Sequence, residues 1–431
     1  MSKESKTTEK QEVRKFKGDA VIWTVFFALC IVSIIEVFSA SSGLSFKSGD
    51  YLKPVLKHCL LLGVGLIAMV ATMNVKCKYF KIVTPIALLI SFLSLIIVFF
   101  IGESTNGAQR WISIFGIQFQ PSELAKGSMI LAVAQILSAM QTENGADKRA
   151  FKYILLICLF IIGPIFSENL STAALLFLVV IIMMFIGRVP KAQLGKLLGT
   201  IAIIAVAGIL LIEMVGKDPA KEEDKKTVLT EQVVKKDKEN VFEKMLHRAD
   251  TWKARIDKFL DNKEVPPSEV DLDKDAQIAH ANIAIATSNV IGRGPGNSVE
   301  RDFLSQAFSD FIYAIIIEEM GIIGSFAVCF LYIILLFRTA KIANQCVNAF
   351  PALLIMGISL LLVSQAMFNM AVAVGLAPVT GQPLPLISKG GTSTIINCVY
   401  IGIILSVSYS AKKRDEEPKK EVALAKSEIT E

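Results

Sequence analysis

Apolar residues run through this chain in long blocks, not in the alternating or every-third-residue patterns of a soluble domain. Ten blocks approach or reach the roughly 20 residues needed to cross a bilayer core. They are 20–40, 54–73, 82–101, 124–140, 153–166, 171–186, 197–215, 311–337, 349–374 and 392–410. The fifth and sixth are short and flank Pro164 and the polar Ser167-Glu168-Asn169, which predicts a tight pair meeting at one surface. The pattern breaks between the seventh and eighth blocks. From Lys217 to about Ile283 the chain is charged, with Pro266-Pro267 as a breaker. Within this stretch Phe242, Met245, Leu246, Ala249, Trp252, Ile256, Phe259 and Leu260 recur at helical spacing, with Lys244, Arg248, Arg255 and Lys258 between them. That pattern predicts an amphipathic helix, lying either on a membrane surface or on the protein's own loops. Residues 217–240 have the composition of a disordered segment. The expected fold is therefore an all-α integral membrane protein of about ten transmembrane helices, with one large loop before the eighth.

Composition agrees with the pattern. Of the 431 residues 53% are hydrophobic, and mean hydropathy is +0.55. Basic residues of the short loops gather on one side: Lys3, Lys6, Lys10, Arg14, Lys15 and Lys17, then Lys76, Lys78 and Lys81, then Lys148, Arg149 and Lys152. Arg188, Lys191, Lys196, Arg338, Lys341 and Lys412-Lys413-Arg414 continue the series, whereas the opposite short loops carry few, Lys47, Lys53, Arg110 and Lys389. The positive-inside rule then places both termini in the cytoplasm and the large loop, about 216–310, outside. The expected organisation is a basic cytoplasmic tail at 1–19, a polytopic membrane unit at 20–410 and a charged cytoplasmic tail at 411–431. The first block is too long for a signal-peptide core and no small-residue cleavage site ends it, so it is read as retained. The net charge of +6 reflects the loop asymmetry, and no basic face with interleaved aromatics points to nucleic acid. The seven cysteines lie in or beside apolar blocks without CxxC spacing, which argues against a disulfide framework or a zinc site. His58, His247 and His280 are scattered, so no nucleophile–histidine device is legible.

Three polar blocks carry candidate chemistry. In the first, Asn106-Gly107 marks a turn, Arg110 is a lone cation beside Trp111, and Pro121-Ser122-Glu123 opens a helix. Glu123 and Lys126 share a helix face; they form either a structural ion pair or a substrate contact. In the second, prolines and glycines from Gly375 to Thr392 preclude regular helix. Lys389 with Gly390-Gly391 offers a pyrophosphate cradle, or a plain re-entrant turn. In the third, Gly292-Arg293-Gly294-Pro295-Gly296-Asn297-Ser298 leads to Asp310, a carboxylate at the junction of a water-facing segment and an apolar helix. That position suits a base acting on a lipid-linked substrate. Glu318 and Glu319 lie two helical turns deeper and, taken alone, equally mark a proton-coupled transporter.

Together these residues resemble the SEDS membrane proteins (shape, elongation, division and sporulation), the family of FtsW, RodA and SpoVE. The matching pieces are Asn106-Gly107-Ala108 with Arg110-Trp111-Ile112, Gln120-Pro121-Ser122-Glu123 with Lys126, and Gly294-Pro295-Gly296-Asn297-Ser298. Ser309-Asp310-Phe311-Ile312-Tyr313-Ala314 with Glu318-Glu319 and Gly321 follows, then Pro383-Leu384-Pro385 with Ser388, Gly390-Gly391-Thr392-Ser393. The likeness covers nearly the whole chain except its tails and residues 217–240. It departs from the common pattern at Lys389, where tyrosine is usual, at Glu300, where glutamine is usual, and in Phe166-Ser167-Glu168-Asn169-Leu170-Ser171-Thr172. The run Phe303-Leu304-Ser305-Gln306-Ala307-Phe308 is closer to the FtsW branch than to the RodA branch.

The resemblance implies a peptidoglycan glycosyltransferase that polymerises lipid II, the undecaprenyl-linked disaccharide peptide, at the outer face of the bacterial cytoplasmic membrane. It maps the family's essential aspartate onto Asp310. Arg110, Lys126 and Lys389 become candidates for the pyrophosphate, with Glu123, Asn297, Ser298, Gly390 and Gly391 as further substrate contacts. Glu318, Glu319 and Trp111 become structural supports. A divalent cation, Mg or Mn, is a candidate cofactor without an assigned site. The implied partners are a class B penicillin-binding protein transpeptidase and other divisome proteins, at the division septum. The alternatives are a RodA-like polymerase of elongation, a catalytically silent scaffold, and a lipid II flippase using Glu36, Glu168, Glu318 and Glu319.

Overall fold

The computed structural model describes residues 17–46, 53–105, 108–114, 117–215, 276–304 and 309–428. The amphipathic pattern of 242–260, the segment 217–240 and Asn106-Gly107 lie outside the described residues. Each of the ten apolar blocks coincides with a helix: α1 (Ala20–Phe46), α2 (Lys53–Met73), α3 (Cys77–Ile101), α4 (Pro121–Ala139), α5 (Lys148–Glu168), α6 (Leu170–Ile186), α7 (Lys191–Val215), α9 (Ile312–Gln345), α10 (Ala349–Ala373) and α11 (Thr392–Glu428). Eight of these are long and apolar enough to cross a membrane. The other two are α6, only 17 residues long, and α4, which opens with Glu123 and Lys126. Helices outrun their apolar blocks where charged ends continue the hydrogen-bond ladder. Thus α9 passes through Arg338 and Lys341 to Gln345.

The bundle is built around its last two helices. In the apolar windows of α10 and α11, 67% and 72% of residues are buried, against 22% in α3. Lipid tails are as apolar as leucine, so helices in a membrane associate through close contact rather than through hydrophobic expulsion. The contact of α2 with α11 illustrates this. A Cβ at Gly65 would lie 2.7 Å from Cys398 Sγ, and one at Gly402 would lie 2.6 Å from the Met69 carbonyl oxygen. The helix–helix corner between α5 and α6 is a single residue. Asn169 ends one helix and caps the next by accepting from Thr172 N at 3.1 Å.

Three features are not legible in the apolar pattern. The segment after α3 forms a three-stranded antiparallel sheet, β1 (Glu103–Thr105), β2 (Ala108–Ile114) and β3 (Ile117–Phe119), with Trp111 opposite Glu103 and Ile112 opposite Phe119. A two-residue ladder, β4 (Gln141–Thr142) with β5 (Gly145–Ala146), follows α4. Within the segment expected to be loop, Ala276–Thr287 forms α8, which buries Ala281 and Ala284 and packs on α9. It is too short to span a membrane, so the block search passes over it. His280 on α8 stacks on Phe303 and bonds Glu300 Oε2 at 2.6 Å, so the glutamate at position 300 comes with its own partner.

One end of the bundle is fastened by an ion pair. Asp19 Oδ1 accepts from Val21 N and Ile22 N at the start of α1. Arg338 of α9 clamps the same carboxylate, Nε to Oδ1 at 2.9 Å and Nη2 to Oδ2 at 2.6 Å. Burial pushes the Asp19 pKa up, but the Arg338 hydrogen bonds and charge outweigh it, and the net shift is downward. A lowered carboxyl pKa contributes stability that is present above the unfolded value of about 3.9 and is lost as pH falls through the folded value. Asp19→Asn and Arg338→Met should each lower the melting temperature in detergent at pH 7. The double mutant should show a coupling of about 1–3 kcal/mol that disappears at strongly acid pH. Additive losses at pH 7 would show that the pair does not fasten α1 to α9.

Candidate active site

Asp310 sits in the turn that leads into α9, half-buried, with Ser309 Oγ donating to its Oδ1 at 2.9 Å. Two other segments meet it there. Gly381, in the irregular segment between α10 and α11, has φ +70; a Cβ built on it would lie 3.3 Å from Asp310 Oδ2 and 3.7 Å from Arg110 Nη1. A carboxylate from the turn before α9 and a guanidinium from β2 therefore flank one glycine. Arg110 is aimed by its strand and by the α5–α6 corner, since its Nε donates to the Glu168 carbonyl oxygen at 3.3 Å.

The irregular segment has many backbone groups and no helix to pair them, so side chains do the work. Asn369 of α10, 1% exposed, donates from Nδ2 to both the Asp310 carbonyl at 2.9 Å and the Gln382 carbonyl at 2.6 Å. Gln382 donates to Thr172 Oγ1 at 2.5 Å. Ser388 accepts from Leu384 N at 2.8 Å and donates to the Ser309 carbonyl at 2.6 Å. One turn along α10, Gln365 donates to the Pro383 carbonyl at 3.0 Å and accepts from Lys126 at 2.7 Å. Lys126 also pairs with Glu123 at 2.7 Å, and both are buried. Of the two readings of Glu123 and Lys126, the geometry supports the internal pair. The ammonium is inside the protein and holds the segment through Gln365.

The Gly292–Ser298 loop closes over a break in α9. Gly321 breaks α9 at φ 68, ψ −170, and the loop crosses that break so closely that a Cβ on Gly292 would lie 2.3 Å from the Glu319 carbonyl oxygen. Arg293 N and Gly294 N donate to the Glu318 and Glu319 carbonyls that the break frees. The loop then wraps the two carboxylates, both 0% exposed. Glu319 accepts from Gly296 N and Ser298 N, and Glu318 accepts from Val299 N, from Ser298 Oγ and from Arg293 Nη1 at 3.1 Å. Ser298 is thus buried and committed to Glu318, whereas Asn297 is exposed and donates to the Arg293 carbonyl. The structure brings Asp310 and Arg110 together, whereas Ser298 is bonded to Glu318 and Glu319 and Asn297 to the Arg293 carbonyl.

Lys389, Gly390 and Gly391 lie half-buried at the far end of the irregular segment. Burial, and then the like charge of Lys57, hold the Lys389 pKa below the usual lysine value. Gly391 abuts the Gln118 carbonyl of β3, to which Thr392 Oγ1 donates at 3.0 Å, so this segment leans on the sheet that carries Arg110 and Trp111. Among the described residues no three His, Cys, Asp or Glu side chains converge as metal ligands. A divalent cation held by these residues would draw most of its ligands from substrate phosphates and water.

A family model for FtsW/RodA/SpoVE, described as cell cycle protein, matches residues 19–413. The chain belongs to the FtsW/RodA/SpoVE family. One relative, named "Probable peptidoglycan glycosyltransferase FtsW" in Geobacter sp. (strain M18), is 30% identical over 401 residues, covering 92% of this chain and 98% of the relative. A protein of the same name in Aromatoleum aromaticum is 28% identical over 408 residues, covering 91% and 88%. Among solved structures, a chain of a peptidoglycan synthase complex, described as coordinating polymerization and crosslinking, matches with TM-score 0.65 at 22% identity, over 92% of this chain and 99% of that one. Thermus thermophilus RodA, a rod shape determining protein, matches with TM-score 0.59 at 21% identity, over 91% and 97%. These two likenesses are of fold.

In this FtsW/RodA/SpoVE chain the residues that sequence reasoning missed are Gln365, Asn369, Gln382 and Thr172. The first two sit inside an apolar block, and the signal available was their spacing, which puts two amides on one helix face. Removing one partner of the buried pair should be far worse than removing both. Glu123→Ala should lose about 3–5 kcal/mol of stability, and adding Lys126→Met should recover most of it. Melting temperatures in detergent decide this; a double mutant no better than Glu123→Ala would contradict the internal-pair assignment.

Proposed function

We propose that this protein is a peptidoglycan glycosyltransferase that polymerises lipid II at the outer face of the cytoplasmic membrane, with Asp310 as general base. The observation that carries the reading is the meeting of the Asp310 carboxylate and the Arg110 guanidinium at Gly381. Glycosyl transfer from a polyprenyl pyrophosphate needs those two functions side by side. The acceptor sugar hydroxyl loses a proton as its oxygen attacks the anomeric carbon, and a carboxylate within hydrogen-bond reach takes it. The bond from that carbon to the pyrophosphate oxygen breaks through an oxocarbenium-like transition state. The departing undecaprenyl pyrophosphate gains negative charge, which Arg110, with its fixed fork of donors, and Lys389 stabilise. One carboxylate suffices for a single displacement with inversion. Lys126 and Glu123 act from behind, through the segment they hold.

The likeness to FtsW-named relatives supports a role in cell division. A class B penicillin-binding protein is the fitting partner, because strands must be cross-linked as they are made. The flippase reading is less well supported. Glu318 and Glu319, which it would use as moving charges, are fixed by backbone N–H groups and arginine.

Asp310→Asn should lower lipid II polymerisation at least about 100-fold, assayed on purified protein with its cognate transpeptidase, while monodispersity and melting temperature stay unchanged. Arg110→Lys, which keeps the charge and loses the fork, should lower kcat more than it raises KM. Full turnover by Asp310→Asn would sink the general-base assignment.

A further inference from the structure

Leu386 lies in the same irregular segment with φ +68. A left-handed backbone crowds Cβ against the next carbonyl, so a bulky residue rarely adopts it. The side chain is 2% exposed, so the turn lies inside the bundle and not on its surface. Both flanking carbonyls are captured. Tyr332 of α9, 0% exposed, donates its hydroxyl to the Pro385 carbonyl. Ser33 of α1, also 0% exposed, donates Oγ–H to the Ile387 carbonyl at 2.7 Å. A hydroxyl has one proton, and that bond uses it. The 2.8 Å contact between Ser33 Oγ and His58 Nε2 must therefore carry the imidazole's proton, which makes His58 the Nε2–H tautomer. The next residue after the captured pair is Ser388, whose hydroxyl pins the Ser309 carbonyl beside Asp310.

We infer that Tyr332 and Ser33, with His58 behind Ser33, are positioning residues for the transfer reaction: they hold Leu386 in its left-handed turn and thereby set where Ser388 pins the backbone of Asp310. The inference rests on the reading of Asp310 as the base. With either hydroxyl removed, Leu386 is free to relax to negative φ, the 386–387 peptide rotates, and Ser388 leaves its place. A glycine at 386 takes the left-handed conformation without steric cost, so it should make the two hydroxyls dispensable.

The test uses the full-length protein with its cognate transpeptidase and lipid II. It measures kcat, KM and amide hydrogen exchange over 309–313. Tyr332→Phe and Ser33→Ala should each lower kcat about 10-fold with KM within about 2-fold, and should speed exchange at 309–311, whereas Ser33→Thr should retain most activity. In a Leu386→Gly background the same substitutions should change kcat by less than about 2-fold relative to that background. If Leu386→Gly does not fold, the contrast of Ser33→Ala with Ser33→Thr and the exchange data decide. Unchanged exchange at 309–311 in both hydroxyl-deletion variants overturns the inference whatever their activity. So does faster exchange with undiminished turnover. Asp310→Asn in the same assay separates the two failures: an active variant removes the base assignment, and an inactive one leaves any shortfall with the positioning residues alone.

Discussion

The irregular segment between α10 and α11 sets the central constraint. Its prolines and glycines cannot make a helix, and it lies among helices that cross a membrane, where an unpaired carbonyl is costly. Each backbone group there needs a partner from somewhere else. The partners come from the surrounding helices: Asn369 and Gln365 from α10, Tyr332 from α9 and Ser33 from α1. The need to satisfy that backbone is what draws polar side chains into an apolar bundle. The same bonds fix Asp310, because Asn369 and Ser388 each reach the turn that carries it. Stability and chemistry share one set of contacts.

Buried charge follows a second rule in this fold. Among the described residues most buried charges are held by partners, the exception being Glu36, 0% exposed with neither carboxylate oxygen hydrogen-bonded. Lys126 has Glu123 and Gln365, and Glu318 and Glu319 have a loop folded over them. Asp310, Arg110 and Lys389, the three charges that the proposed reaction uses, are half-buried.

How much of this was legible in sequence depends on the range of the interaction. The helices were, because a membrane span is a local property of consecutive residues. Asp310 and Arg110 were also visible, since each is a lone charge beside an apolar block, and the FtsW/RodA/SpoVE likeness marks both. Their meeting at Gly381 was not, because three segments remote in sequence make it. The glycines before Ser298 mark a shaped loop in the sequence, but not what the loop encloses. It encloses Glu318 and Glu319, which lie about twenty residues further along the chain. Asn369, Tyr332 and Ser33 were silent, since one polar residue in an apolar helix gives no hint of which carbonyl it serves. The sheet of 103–119 was hidden by its short strands, and α8 by its brevity.

The break at Gly321 has a consequence for how this region can vary. It cuts α9 so that the stretch from Ile312 to Met320 is a separate short rod. Its first turn is anchored through the Asp310 carbonyl, and its last through the loop that wraps Glu318 and Glu319. A single inserted or deleted residue would turn one anchor about 100° relative to the other. The two fastenings could not then both close. Side chains along the rod are free to drift among apolar types, but the number of residues from Asp310 to Glu319 is not. In this stretch the quantity that the structure fixes is a length.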